Sequence, residues 1–278
     1  MQVAPGIHVR RGLDEDATHA NNDAIANTGF IVGDHAVFVT DPGGSLADGQ
    51  RLRAAIRAIT SKPIRYVLLS HVHPDHIFGA GAFLPDAPNF VGHANLPQSL
   101  AVRGAFYQSH LNDILGQAAA GPIVTPTLTV AAEHRIDLGG RTLILTAHAP
   151  AHTSTDVSVF DTGSGTLLPA DLLFVGRVPS LDGSLAGWLA QLPALLARTP
   201  ARAVPGHGPV SVNAGAAVTA LTRYLTVLQN ETRAAIARGQ GIDAAAGTVA
   251  ASERGSWTLF DAYNARNVTE AYKELEWE

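Results

Sequence analysis

Between residues 71 and 76 the chain reads His71-Val72-His73-Pro74-Asp75-His76, and no other segment narrows its possible folds and chemistry as far. Three imidazoles and a carboxylate within six positions are more than a surface collects by chance. The preceding segment, Ile64 to Ser70, is short, nearly continuously apolar and begins after Pro63, as a buried strand does. A strand end is a rigid mount for side chains, and the loop after it turns several of them inward. His71 and His73 are two apart, so in extended backbone they point the same way. The turn at Pro74 lets Asp75 and His76 reach a second point. Imidazole nitrogen and carboxylate oxygen suit zinc at ~2.0–2.2 Å. The chain has no cysteine, which excludes disulfides, thiolate zinc sites and cysteine nucleophiles. Any metal must be held by histidine and carboxylate.

Three later positions resemble the remainder of such a site. His152 lies between two predicted strands, Arg141 to Ala147 and Thr155 to Phe160. Asp171 ends the strand Thr166 to Ala170, and His207 follows the strand Ala201 to Val204 within Pro205-Gly206-His207-Gly208. Glycines beside His207 permit close approach of backbone to a metal. Two divalent cations close together repel, so a dinuclear site needs carboxylates near or between them. His8, His19, His35, His93, His110, His134 and His148 are read as ordinary histidines, His148 being the nearest decoy.

The rest of the chain gives the setting. Ala26 to Val32 and Ala36 to Asp41 read as a hairpin about Gly33-Asp34-His35. Leu52, Ala55, Ile56 and Ile59 recur at helical spacing. Gly79 to Pro88 reads as a loop, Val91 closes a short strand, and Leu96 to Leu115 reads as a helix. Thr125 to Val130 is another strand. A helix over Leu185 to Ala197 is kinked at Pro193. Ala214 to Arg238 is the longest helical pattern, followed by short helices near Asp243 to Ala251 and Asn267 to Leu275. Sheets burying one face against each other, with helices outside, satisfy this order. We expect one domain over residues 1–278, with a helical C-terminal part from about residue 211. The 278 residues are 46 % hydrophobic and 15 % charged, with net charge −5, as in a globular protein without a nucleic-acid partner. No apolar run approaches the ~18 residues of a membrane span, and Met1 to Arg11 holds no apolar block of signal-peptide type.

The ordered set resembles the metallo-β-lactamase superfamily from about Ala26 to Val210. The pattern His-x-His-x-Asp-His matches His71, His73, Asp75 and His76; the later ligands match His152, Asp171 and His207. The resemblance implies an α/β four-layer αββα sandwich. It implies two zinc ions per chain, one on His71, His73 and His152, the other on Asp75, His76 and His207, with Asp171 bridging. Asp41 matches a buried aspartate that supports the metal loop, against a plain turn residue before Pro42. Phe30 to Gly44, His71 to Phe83, Asp171 to Trp188 and Pro205 to Val210 are similar to the quinoprotein relay system zinc metallohydrolases (SoxH-like). That group implies a functional link to a quinoprotein dehydrogenase. It also implies a periplasmic location if a signal peptide has been removed; otherwise the chain is cytoplasmic.

The expected chemistry is hydrolysis of an ester, lactone, thioester, amide or phosphodiester bond in a small molecule. A metal-bridging hydroxide attacks, Asp75 and Asp171 orient it, and slow β-lactam cleavage is a side activity. Substrate-contact candidates are Phe174, Arg177 and Trp188, the loops Gly43 to Leu46, Phe78 to Phe83 and Leu173 to Leu185, and Tyr107 or His110. Arg177 suits an anionic substrate or is a surface arginine; Phe174 and Trp188 are alternatively packing residues. Two other readings are a mononuclear iron persulfide dioxygenase, since the same ligands suit iron, and a non-catalytic metal-binding partner of a quinoprotein pathway.

Overall fold

The computed structural model describes residues 1–278. Strands β1 (Gln2–Ala4), β2 (Ile7–Arg10), β3 (Thr28–Val32) and β4 (Val37–Thr40) pair antiparallel in sequence order. Helix α1 (Leu46–Ile59) then crosses over to β5 (Ile64–Leu69). The short helix α2 (Pro74–Ile77) and a 3-10 segment, Phe78–Asp86, lead to β6 (Asn89–His93), and α3 (Leu96–Leu115) leads to β7 (Leu128–Val130). These last pairings are parallel, as helical crossovers require. The seven strands form one sheet in the order β1-β2-β3-β4-β5-β6-β7.

A second sheet holds β8 (Glu133–Asp137), β9 (Thr142–Ala147), β10 (Val157–Asp161) and β11 (Thr166–Phe174). After α4 (Leu185–Gln191), β12 (Arg202–His207) joins parallel to β11. Helices α5 (Ala214–Ala237), α6 (Ile242–Ala246) and α7 (Phe260–Leu275) complete the chain.

Period-two alternation sorts the apolar side chains into layers. Phe38 and Leu68 of the first sheet meet Leu145 and Val159 of the second in a shared core. Val37, Val39, Val67 and Leu69 point the other way, onto Leu52 and Ile56 of α1 and Leu100 and Leu111 of α3. Leu172 of β11 packs outward against Leu221 and Leu225 of α5, with Ala271 of α7 in the same cluster. The order helix, sheet, sheet, helix is the expected αββα sandwich.

Several boundaries differ from the sequence reading. Gly79 to Pro88 is mostly a 3-10 helix rather than a loop. Its Gly79 packs so closely on Pro42 and Gly43 that a Cβ there would overlap the Pro42 carbonyl. Strand β8 was not anticipated, because only Ile136 of its five residues is buried. Helix α4 passes into a 3-10 turn, Leu192–Leu196, at Pro193. Strand β11 does not stop at Ala170 but continues to Phe174 beyond a register shift. Strand β12 extends to include His207. The ends of β4, β5 and β12 and the middle of β11 therefore meet at one edge of the sandwich.

Candidate metal centre

His71, His73 and His152 converge there. His71 Nε2 is 3.2 Å from His73 Nδ1, and His152 Nε2 is 3.3 Å and 2.9 Å from the same two atoms. Tetrahedral ligands on bonds of 2.0–2.1 Å stand about 3.3 Å apart, so the three nitrogens have the spacing of one face of a coordination polyhedron. Asp75, His76 and His207 form the second group: Asp75 Oδ2 is 3.5 Å from His76 Nε2 and 3.2 Å from His207 Nε2. Asp171 reaches both. Its Oδ1 is 3.0 Å from His76 Nε2, while its Oδ2 is 3.3 Å from His207 Nε2, 3.5 Å from His152 Nε2 and 3.8 Å from His71 Nε2.

Backbone irregularities aim these groups. Ala170 has φ +48° at the register shift in β11, and the bulge sets the direction of Asp171 beside it. Gly206 faces this carboxylate across β12, where any Cβ would overlap Asp171 Oδ1. Asn27 donates to the carbonyls of Pro205 (2.8 Å) and Gly208 (3.2 Å), tying down both sides of His207.

The ring nitrogens facing away from the centre each have an acceptor. His152 Nδ1 is 2.6 Å from the Ser180 carbonyl, and His207 Nδ1 is 3.0 Å from that of Ile25. His76 Nδ1 is 2.8 Å from Asp41 Oδ2, and His73 Nε2 is 3.1 Å from Asp182 Oδ2. His71 Nδ1 is 3.0 Å from the Ser70 hydroxyl, which itself donates to Asp41. A neutral imidazole has one N–H. With that hydrogen spent outward, the inward nitrogens of neutral His71, His73 and His152 present lone pairs to one another, while those of His76 and His207 face the Asp75 and Asp171 carboxylates. Such an arrangement is repulsive alone and stable around cations. His76 Nε2 and Asp171 Oδ1 are buried without hydrogen-bond partners although 3.0 Å apart, the disposition of two ligands on a common ion. The residues fit a pair of metal ions.

Electrostatics divides the two groups. Burial, then the neighbouring imidazole of His76, holds His71 well below the usual histidine range. Burial, then His73, pushes His152 down to about 3. In His76 burial acts in the same direction, but Asp171, Asp75 and Asp41 outweigh it and raise its pKa. His207 is raised against burial by Asp171. Burial alone would raise Asp75 and Asp171; His76 and His207 reverse this and hold both carboxyls below the ordinary range.

Asp41 is a buried residue with φ +59°. It accepts from the Ser70 N–H and Ser70 hydroxyl, both at 2.8 Å, as well as facing His76. It thereby ties the end of β5 to His76. Asp182 was not singled out from sequence: it is 109 positions from His73, in an Asp-Gly turn that gives no local sign of its partner. Burial would raise it, but His73 and Arg103 hold it at about 2. His148 stands apart from both groups, paired with Gln191 and Ser158.

A cavity of about 510 Å³ opens over the centre, with His73, Asp75, Asp171 and His207 in its wall. Phe174 and Arg177 line it too, as do Tyr107 and His110 of α3. Phe174 stacks on His207 with ring centroids 5.0 Å apart. Trp188 does not line the cavity and corrects its assignment as a substrate contact. It is fully buried behind His152, centroids 5.2 Å apart, and its indole N–H donates to the Leu172 carbonyl at 3.1 Å. Its bulk is needed in the core under α4. Gly43 to Leu46 and Phe78 to Phe83 are likewise absent from the wall, having packed together on the α1 side.

Parts of the chain are similar to known proteins. A linear primary-alkylsulfatase of Pseudomonas sp. (strain ATCC 19151) is 29 % identical over 97 residues, 34 % of this chain and 17 % of that protein. A probable metallo-hydrolase of Streptococcus pyogenes serotype M6 is 41 % identical over 58 residues, 21 % of this chain and 23 % of its own length. The chain thus spans less than a quarter of either curated relative. Among solved structures, a metallo-beta-lactamase from Pontibacter korlensis superposes with TM-score 0.61 at 18 % identity, covering 72 % of this chain and 87 % of that one. Another from Erythrobacter litoralis gives 0.61 at 15 %, covering 81 % and 95 %. At such identities the likeness concerns the fold. The model of the metallo-beta-lactamase superfamily matches residues 22–207, a span that holds all seven converging side chains, and the chain belongs to that superfamily.

Proposed function

We propose that the protein is a zinc-dependent hydrolase with two metal ions per chain, acting on an ester, lactone, thioester, amide or phosphodiester bond of a small molecule. The observation that carries this is Asp171, one carboxylate within 3.8 Å of His71, His152 and His207 through Oδ2 and within 3.0 Å of His76 through Oδ1. His71, His73 and His152 would hold one ion, Asp75, His76 and His207 the other, and Asp171 both. When bound, zinc supplies a water acidified to near neutral pH and a Lewis acid for the developing oxyanion. Asp75 and Asp171, held ionised by their imidazole neighbours, would orient the attacking water. The outward hydrogen bonds to Asp41, Asp182, Ser70, Ser180 and Ile25 keep the five imidazoles in ligand orientation, so little reorganisation accompanies reaction. Tyr107 and Phe174 line the cavity beside the centre.

On the likeness of the four segments around Phe30, His71, Asp171 and Pro205, the reading extends to the quinoprotein relay branch and to a periplasmic role beside a quinoprotein dehydrogenase. The test is elemental analysis of the purified protein with His76→Ala and Asp171→Ala alongside, followed by turnover on ester, lactone, thioester and phosphodiester panels. An alkyl sulfate belongs in the panel because of the shared segment with the Pseudomonas alkylsulfatase. Near two zinc per chain, reduced in both variants, with metal-dependent turnover, supports the reading. One iron per chain with little zinc overturns it in favour of persulfide oxidation. Two zinc without turnover of any class points to a metal-binding partner protein.

A further inference from the structure

His152 and His73 take their outward contacts from one short loop. His152 Nδ1 is 2.6 Å from the Ser180 carbonyl, and His73 Nε2 is 3.1 Å from Asp182 Oδ2. The loop lies between β11 and α4 and belongs to no helix or strand. A carbonyl in such a segment aims an imidazole only as well as its own peptide is held. The peptides flanking Ser180 are held from the far end of the chain. Asn267 of α7 donates from Nδ2 to the Pro179 carbonyl at 2.7 Å and accepts the Leu181 N–H on Oδ1 at 2.9 Å. One side-chain amide thus bonds the residues before and after Ser180 as a residue of a neighbouring parallel strand would. The Pro179 carbonyl only accepts and the Leu181 N–H only donates, which fixes the orientation of the amide. Its second N–H goes to the Tyr224 hydroxyl at 2.9 Å, and that hydroxyl donates to Asn264 Oδ1 at 2.9 Å. Glu274, about two turns further along α7, takes the Ser184 hydroxyl at 2.9 Å and the Leu185 N–H at 2.6 Å, closing the other end of the loop. Asn267 is 1 % exposed and shares the buried face of α7 with Val268, Ala271 and Leu275. A polar group buried there is tolerated because each of its hydrogen bonds is made. Helix α7 lies beyond residue 207, where the superfamily match ends.

We infer that Asn267 is a positioning residue of the metal centre: by clamping the peptides on both sides of Ser180 it holds the carbonyl that orients His152, and with it the start of the turn that presents Asp182 to His73. The C-terminal helices would then set the affinity of the group formed by His71, His73 and His152. This rests on the two-metal reading and adds to it a residue that touches no metal and no substrate.

The test is zinc competition with a chelator on the full chain, for Asn267→Ala, Asn267→Asp and Val268→Ala. The aspartate keeps the acceptor for Leu181 and loses the donor to Pro179; Val268→Ala loosens the same helix without touching the loop. Each is measured in two backgrounds: His76→Ala, which leaves the first group, and His73→Ala, which leaves the second. Loss of the clamp should weaken zinc about tenfold or more in the His76→Ala background and leave the His73→Ala background unchanged, with Val268→Ala altering neither. Exchange of the His152 ring N–H with water, followed by NMR in the metal-free protein, should be faster in Asn267→Ala than in Val268→Ala. Unchanged affinity in both backgrounds would overturn the inference, as would an equal fall in both. If Asn267→Ala does not fold, Asn267→Asp carries the comparison; loss of fold in both would make Asn267 a purely structural residue and overturn it too. A wild type that takes up no zinc strikes instead at the hydrolase reading, while the ring N–H exchange still decides whether Asn267 holds His152.

Discussion

On the two-metal reading, replacing Asp41 by asparagine separates the support of the second metal from the stability of the fold. Asp41 Oδ1 accepts from the Ser70 N–H, and Oδ2 accepts from both the Ser70 hydroxyl and His76 Nδ1, all at 2.8 Å. Asparagine has the same shape and tolerates the φ of +59° at this position. It has one acceptor, however, and its amide group must face either the Ser70 N–H or the His76 N–H. Facing His76, it drives the imidazole proton to Nε2 and removes the inward lone pair. Facing Ser70, it sets two N–H groups against each other. Loss of a comparable outer partner weakens metal binding by about 10–100-fold. The second group should therefore empty at zinc activities where His71, His73 and His152 still hold their ion. The metal-free fold should lose only ~1–2 kcal/mol. Asp41→Ala is harsher: it strands the buried Ser70 N–H and His76 N–H at ~1–3 kcal/mol each, the Ser70 hydroxyl being able to rotate, and places alanine at positive φ for ~1 kcal/mol more, roughly 3–7 kcal/mol together. Zinc competition with a chelator gives the affinities and urea unfolding the stabilities. An Asn variant that keeps two zinc ions at wild-type affinity would refute the argument.

Gly206→Ala should displace the Asp171 carboxylate, since its Cβ overlaps Oδ1, and bring zinc well below two per chain by elemental analysis. Two ions retained would show that β12 can move aside. Asp156 is buried against Thr153, and burial raises its pKa to about 7. A carboxyl raised in the fold contributes stability that is present below the unfolded value of ~3.9 and lost as pH climbs through 7. Metal-free Asp156→Asn should thus gain on the wild type by up to ~1.4 kcal/mol per pH unit from pH 4 to 7; a flat difference in urea unfolding rejects this. Trp188→Phe should lower stability by ~1–3 kcal/mol through the orphaned Leu172 carbonyl while leaving the order of preferred substrates unchanged; a reordered panel would return Trp188 to the substrate wall. Finally, His76 and His207 are raised and must release protons to take metal, whereas His71 and His152 are already neutral. Lowering the pH from 8 towards 5 should empty the second group first, and loss of both ions together in a zinc titration series would contradict it.

The converging side chains were legible in the sequence because metal-binding chemistry draws on few residue types, and strand ends restrict them to few places. His71, His73, Asp75 and His76 are contiguous, and His152, Asp171 and His207 each follow an apolar run. The layers were legible for a related reason: Val37, Phe38 and Val39 or Val67, Leu68 and Leu69 are apolar on both faces, as a sheet covered on both sides demands. What could not be read is whatever is fixed by contacts distant in sequence. Helix α7 begins at Phe260, not Asn267, because its inward face includes Asn264 and Asn267, whose amides bond Tyr224, Val249, Pro179 and Leu181 and interrupt the apolar period. The outward partners of the imidazoles follow the same logic. Two are backbone carbonyls, Ile25 and Ser180, which any residue type supplies, and one is Asp182, an acid in a turn like many others. Arg177 was visible as a lone charge but not as a buried one, since burial depends on Thr258 and Tyr263 arriving from the far end of the chain. Sequence therefore marks the atoms that would touch the metals, whereas the atoms that orient those ligands and face the substrate are selected by tertiary packing.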